Sequence, residues 1–259
     1  MARPEKVLTD DLWEIIEPML PKQKPPGTPG RPPVPNRTAM LGILYVLLNG
    51  CPWNALPKEY SSGPSCWRRL REWQRKGIWK RVWKEMLDRA EPSMRLAMID
   101  SSPVQALKRG RSTGPNPTDR AKNGTKRHVI ANSRGLPLAA IVTGANAHDS
   151  TVALRLVDAI PPIRHGVGRP LKLKGDKAYD SEPLRRELRK RGIIPLLNRR
   201  RRPRRYRKLW PVERAQAWIN QYRRLKVRYE RLQCTYQAFL NLACALICYK
   251  RANGRKKGF

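Results

Sequence analysis

The chain has 259 residues, enough to bury a full core in one large domain or two smaller ones. Its 55 Lys and Arg against 20 Asp and Glu leave a formal net charge of +35, which repels itself unless a polyanion offsets it, so a nucleic-acid partner is the natural reading. A membrane partner is disfavoured: no basic amphipathic helix or lipidation signal stands out, and the apolar stretches Ala39 to Cys51 and Tyr236 to Tyr249 fall short of the ~20 residues a bilayer needs.

The N-terminus lacks the apolar core of a secretory signal, so the expectation is a cytoplasmic protein. Thr9 should cap a helix carrying Leu12, Ile15, Ile16 and Met19. A Pro/Gly-rich linker, Lys24 to Pro35, leads to Asn36, the expected cap of a strongly apolar helix that ends at Gly50. Ser65 to Lys76 carries Trp67, Leu70 and Trp73 at three-residue steps, and Ile78 to Arg89 turns Trp79, Val82, Trp83 and Met86 inward. Residues 1–92 are therefore expected to form a small all-α domain. Opposite the tryptophans of Ser65 to Lys76 stand Arg68, Arg69, Arg71, Arg75 and Lys76. That face suits the second helix of a helix-turn-helix, and a solvated charged face explains it equally well.

From Leu96 the pattern changes to short apolar runs between turn residues. Leu96 to Asp100 reads as a strand, Arg127 to Ala131 and Leu138 to Thr143 as a hairpin, and Ser150 to Ile160 as a helix. Strand Leu171 to Gly175, helix Glu182 to Lys190 and strand Ile193 to Leu197 follow, then helices Pro211 to Leu225 and Tyr229 to Tyr249. This order predicts an α/β domain with a mixed sheet over 93–249, before a disordered basic tail at 250–259. The five cysteines are odd in number and mostly set in apolar sequence, which favours reduced thiols.

Only ten acidic residues lie between Ser93 and Phe259, so their placement is informative. Asp100 and Asp176 are each expected at the C-terminal end of a short apolar strand, where an ionised carboxylate needs a cation or partner to compensate it. In open α/β sheets that edge is also where ligands bind. Glu213 opens a helix, where the helix dipole alone is enough to favour it. Asp149 and Asp180 stand where caps are needed, and Glu182 and Glu187 share a face with Arg185, Arg186 and Lys190. Three acids gathered without His or Cys suit phosphoryl transfer on DNA, in which two Mg²⁺ ions, or Mn²⁺ in their place, stabilise the entering and leaving oxygens. A Ser/His/Asp hydrolase fits poorly, because no histidine is set beside a nucleophile elbow.

Ahead of Glu213 runs a tract from Arg199 through Arg200, Arg201, Arg202, Arg204, Arg205 and Arg207 to Lys208, broken only by Pro203 and Tyr206. Such a tract attracts phosphates, and Arg214, Arg223, Arg224 and Arg228 continue it.

Taken together, these segments resemble the bacterial insertion-sequence transposases with a DDE triad on an RNase H-like fold, of the IS4/IS5-like type. The resemblance runs through Gly50 to Pro57, Arg68 to Gly77, Met98 to Ser102, Gly124-Thr-Lys126-Arg-His128 with Gly135 to Pro137, Gly144 to Ser150, Gly175 to Ser181, Trp210 to Arg214 and Arg223 to Leu225. It implies an RNase H-like catalytic domain in which Asp100, Asp176 and Glu213 bind two Mg²⁺. It further implies an enzyme that recognises terminal inverted repeats as an oligomer, acts on the element ends and target DNA, and counts Lys126 among its DNA contacts. Leu209, Asn220 and Asn132 depart from the family pattern, which commonly has Arg, Lys and Asp there. A transposase-derived DNA-binding protein without cleavage activity is the alternative, and a basic RNA-binding protein a third.

Overall fold

A computed structural model describes residues 1–23, 32–164, 168–199 and 209–256. Four helices come first: α1 (Asp10–Ile16), α2 (Asn36–Asn49), α3 (Gly63–Arg75) and α4 (Ile78–Ala90). Thr9 caps α1 as expected, its hydroxyl accepting from the Leu12 N–H, and Gly50 closes α2 in the left-handed conformation at φ 72°. Asn36 is not a cap: it is the first residue of α2, and its side-chain amide donates to the Pro21 carbonyl at 3.1 Å. In α3 the inner stripe is Cys66, Leu70 and Trp73. Trp67 lies off that stripe, half-exposed, with the Arg71 guanidinium 4.6 Å from its ring centre. Gly77, at φ 69°, makes the tight turn into α4, across which Trp73 and Trp79 meet edge to face at 5.4 Å.

The strands are β1 (Leu96–Gln105), β2 (Gly114–Pro115), β3 (Asn123–Asn132), β4 (Pro137–Gly144), β5 (Lys172–Gly175) and β6 (Ile194–Leu197). Between and after them come α5 (Asp149–Asp158), α6 (Glu182–Lys190), α7 (Trp210–Asn220), α8 (Arg223–Lys226) and α9 (Gln233–Lys256). β1 is central: it pairs antiparallel with β3, which pairs antiparallel with β4, and on its other side it runs parallel to β5, which runs parallel to β6. An antiparallel meander continued by two parallel strands is the RNase H-like arrangement, so the predicted mixed sheet and α/β class hold.

Helices cover both faces. From β3, Arg127 donates to the Asn220 side chain at 2.7 Å on the α7 side, while its neighbour His128 turns the other way, to Thr143 at 2.8 Å and towards α5. Between Tyr236 and Tyr249 α9 is buried on nearly every side, as suits its mostly apolar sequence there. It packs on α3 and α4 along one flank and on β4 along the other, so one hydrophobic core runs through the N-terminal helices and the sheet. Two tryptophan N–H groups tie that core together, Trp79 to the Leu70 carbonyl at 3.1 Å and Trp83 to the Pro137 carbonyl at 3.2 Å.

The C-terminal helices differ from expectation. The segment read as one helix, Pro211 to Leu225, breaks at 221–222 into α7 and α8, and α9 starts at Gln233 and continues to Lys256, through part of the tail read as disordered. Residues 257–259 lie outside the described residues. Among the described residues no helix is long and apolar enough to cross a membrane.

Arg228, buried between α8 and α9, ties the end of β1 to this region. Its backbone N–H donates to the Gln105 carbonyl at 2.9 Å, and its guanidinium donates to the carbonyls of Arg111 (2.7 Å), Ser112 (2.8 Å) and Glu230 (2.9 Å) and to the Thr125 hydroxyl (3.1 Å). Removing the guanidinium strands several buried acceptors. Arg228→Met should therefore lower unfolding stability by about 3 kcal/mol or more in urea titrations, and a loss under 1 kcal/mol would show that these bonds are not made.

Candidate active site

The site is set by how β1 is paired. Its parallel register with β5 stops at Met98 opposite Lys174, while the antiparallel register with β3 continues to Gln105. Asp100 is therefore in mid-strand, not at a strand end as expected. Ser101, Ser102 and Gln105 carry no apolar signal of a strand, yet β3 satisfies their backbone. Asp100 still lies just past the last residue paired with β5. It stands opposite Val129, on the face from which Arg127 reaches α7. Asp176 follows β5 directly, and its carboxylate accepts from the Ala178 N–H at 2.9 Å, closing a single 3-10 turn. Because β5 is parallel to β1, both aspartates emerge at the same edge. Glu213 comes to that edge from the first turn of α7, which packs on β1 and β3, and it is exposed.

The fields of these groups meet at Asp100. Burial pushes its carboxyl up to about 6; the Ser101 backbone N–H opposes this, and the charges of Asp176, Glu213 and Asp149 add to it. Among the described residues Asp100, Asp176 and Glu213 make no ion pair. In a chain this rich in Arg and Lys, three acids left unpaired at one edge stand out. No three His, Cys, Asp or Glu side chains among the described residues are already gathered into a metal cage. Asp100, Asp176 and Glu213 are oxygen donors whose chemistry suits a hard divalent cation, and Glu213 stands on the surface.

Sequence reasoning missed the role of Asp149. It does not cap α5, whose cap is His148; instead its carboxylate lies 3.1 Å from the Lys126 ammonium and 3.7 Å from His128 Nδ1. Its position after β4 could have placed it at the same edge, but a helix-start aspartate has a ready explanation of its own. Asp180 pairs with Arg185 at 2.8 Å, and Ser181 supplies the cap of α6. Tyr179 is buried beneath the cluster, and burial first, then Asp149, Asp100 and Asp176, hold its hydroxyl well above its ordinary pKa.

The basic residues divide. Arg68, Arg71, Arg75 and Lys76 are exposed on α3, Arg69 is partly covered beside Glu72, and Arg68 and Arg69 line a cleft of about 900 Å³ against Trp53 and Pro64. Arg199 and Arg223 are exposed; Arg200, Arg201, Arg202, Arg204, Arg205 and Arg207 lie outside the described residues. Arg224 is not a surface contact: it is buried, paired with Glu230 at 2.7 Å, and donates to the Cys51 carbonyl at 2.8 Å. Lys126 is largely committed to Asp149 and to the Ala147 carbonyl at 2.9 Å. Among the departures from the family pattern, Leu209 packs against the core, Asn220 holds Arg127, and Asn132 accepts from the Arg134 and Leu136 N–H groups of the hairpin turn. Gly110 to Gly114 does spell Gly-x-Ser-x-Gly, but Ser112 sits in the loop between β1 and β2 rather than in a strand-to-helix turn, so it is no nucleophile elbow.

Residues 91–248 match the family model described as "Transposase DDE domain", and residues 8–83 match one described as a transposase of the IS4/5 family. A Burkholderia cepacia protein named as a transposase for insertion sequence element IS402 is 48% identical over 171 residues, covering 62% of this chain and 78% of its own. A second Burkholderia cepacia protein, of insertion element IS402, is 42% identical over 125 residues, covering 45% of this chain and 84% of its own. Among solved structures, the piggyBac transposase synaptic complex with hairpin DNA aligns at TM-score 0.46 and 12% identity, covering 98% of this chain and 75% of that one. The BIV integrase catalytic core aligns at TM-score 0.32 and 18% identity, covering 60% and 82%. These structural alignments are loose, and the fold assignment rests on the strand order.

His128 offers a pH test of this edge. Burial lowers its pKa to about 4, with Asp149 opposing and Lys126 and Arg155 assisting. The unfolded chain takes up that proton near pH 6.5 and the folded chain near pH 4, so the stabilisation is complete above pH 6.5 and is lost as pH falls through that window. Asp100 acts in the opposite sense over part of the same range, so the contrast between the parent chain and His128→Gln isolates the imidazole. The parent should lose about 2 kcal/mol more than the variant between pH 7 and pH 5 in urea titrations, and equal losses would mean that His128 is not held neutral.

Proposed function

The chain belongs to the DDE-domain transposases of the IS4/5 type, and from that premise we propose that it binds the terminal inverted repeats of its element, cleaves the element ends and joins them to target DNA. The observation that supports this most directly is that Asp100, Asp176 and Glu213 come from three separate elements, that they make no ion pair among the described residues, and that, after burial, the charges of the other two raise the pKa of Asp100. Their carboxylate oxygens would hold two Mg²⁺ ions, with Mn²⁺ able to substitute. When bound, such ions neutralise charge on the scissile phosphate and stabilise the entering and leaving oxygens.

In the first reaction a water oxygen bonds to phosphorus as the P–O3′ bond breaks, leaving a free 3′-OH on the element and a 5′-phosphate on the flank. In the second, that 3′-OH bonds to a target phosphorus and displaces a target 3′-OH. Both are in-line exchanges at phosphorus, so no side-chain nucleophile is needed. The chain's part is to hold the phosphodiester at the β1/β5 edge, and its positive surface supplies the attraction for DNA. Joining two ends to one target calls for two copies at least, so the working form is a homodimer or higher oligomer on double-stranded DNA, acting beside the bacterial nucleoid. The helical region 1–92 would recognise the repeats, and 93–249 would carry out the chemistry.

Asp100→Asn, Asp176→Asn and Glu213→Gln should each abolish cleavage of a plasmid bearing the element ends in Mg²⁺ or Mn²⁺. Affinity for an end duplex should stay within roughly threefold, because phosphate contacts by cations dominate binding. Normal cleavage by any of the three sinks the assignment. A parent chain that binds the ends but cuts in neither metal points instead to a transposase-derived binding protein.

A further inference from the structure

We propose that the cleft between α7, the β3–β4 turn and the last turns of α9 is a dedicated site for DNA phosphates, holding the strand that leads away from Glu213. The proposal rests on the DNA-processing reading above and adds a location to it.

The cleft has a volume of about 630 Å³ and is lined by Arg134, Arg214, Trp218, Lys250 and Arg251 with no acidic residue. Arg214, which lines it, follows Glu213 on α7 and is the only cation of that helix. On α3, α4 and α6 some surface cations do have acidic partners. Lys76 pairs with Glu72, Arg89 with Glu85 and Lys190 with Glu187, all at 2.8 Å, as a solvated charged face requires. Among the described residues Arg134, Arg214, Lys250 and Arg251 make no ion pair.

Their geometry is fixed in advance. The Arg214 guanidinium stacks 4.2 Å from the Trp210 ring centre and 5.1 Å from that of Trp218, and Arg251 stacks 4.1 Å from the same Trp218 ring. Arg214 also donates to the Arg134 carbonyl at 3.0 Å, while its Nε is buried without a partner. Burial and the neighbouring charge of Arg251 both weigh against the charged form of Arg214, which marks a repulsion that a bound anion would relieve. Two guanidiniums packed against one indole present paired N–H donors that suit the non-bridging oxygens of a phosphodiester. With both indole partners already taken, the cleft suits a backbone phosphate better than a stacked base.

The test measures binding of the full chain to an end duplex of about 30 bp across a series of KCl concentrations, since each phosphate contact contributes about 0.9 to the slope of log K against log salt. Arg251→Gln and Arg134→Gln, both at exposed positions, should each weaken binding roughly five- to tenfold near physiological salt and flatten the slope by about 1. Arg251→Lys should keep the slope, and so should Lys190→Gln, which removes a charge from α6 across the sheet. An unchanged slope in Arg251→Gln overturns the proposal, and so does equal flattening in Lys190→Gln, which would reduce the effect to overall charge. A parent chain that fails to bind the duplex would count against the DNA-processing reading itself.

Discussion

Everything at the active edge depends on the unequal pairing of β1. From Ala97 to Gln105 the strand is held by β3, but β5 accompanies it only from Leu96 to Met98. The sheet therefore loses a strand on one side just before Asp100, opening a notch beside a strand that is still rigidly held. Parallel pairing delivers Asp176 to the same notch. α7 is locked across the other strands by the bond from Arg127 to Asn220 and by Gln216, which donates to the Arg127 carbonyl at 3.4 Å. A slip of one residue in β1 would turn Asp100 to the α5 face and dissolve the cluster, so register here is a functional constraint as well as a packing one.

The positive charge has two uses that composition alone does not separate. Arg127, Arg185, Arg224 and Arg228 are all at most 6% exposed on their residue or side-chain surface and serve as internal ties to carbonyls and acids. Among the described residues many of the other cations are exposed, and Arg134, Arg214, Lys250 and Arg251 around α7 make no ion pair. The acids mirror this split. Asp149 has its own cation in Lys126, whereas Asp100, Asp176 and Glu213 are left to repel one another. Leaving like charges uncompensated at a partly buried edge costs stability, a cost that a bound cation offsets.

Much of this was legible in the sequence where periodicity carries it. Helices with apolar positions three and four apart, such as α4 and α6, fall within a residue or two of their expected limits, and the hairpin appears where its turn residues put it. The misreadings have local physical causes. β1 looked short because its second half is polar and is satisfied by backbone pairing that leaves no apolar trace. α7 and α8 looked continuous because no Pro or Gly marks the break at 221–222. Arg224 looked like a DNA contact because a charge run does not reveal which members find a buried partner. Asp149 was hidden because a helix-start aspartate needs no further reason to be there, and only the fold brings Lys126 and His128 against it.

The central claim is that Asp100, Asp176 and Glu213, distant in sequence, act as one divalent-cation site. The most direct measurement is cleavage of the polypeptide by hydroxyl radicals from Fe²⁺ and ascorbate, with the protein held on an end duplex and the fragments mapped by mass. A single site predicts main-chain cuts clustered around all three residues, suppressed together by Mg²⁺. Cuts confined to one of these segments, or cuts that Mg²⁺ leaves unchanged, would contradict it.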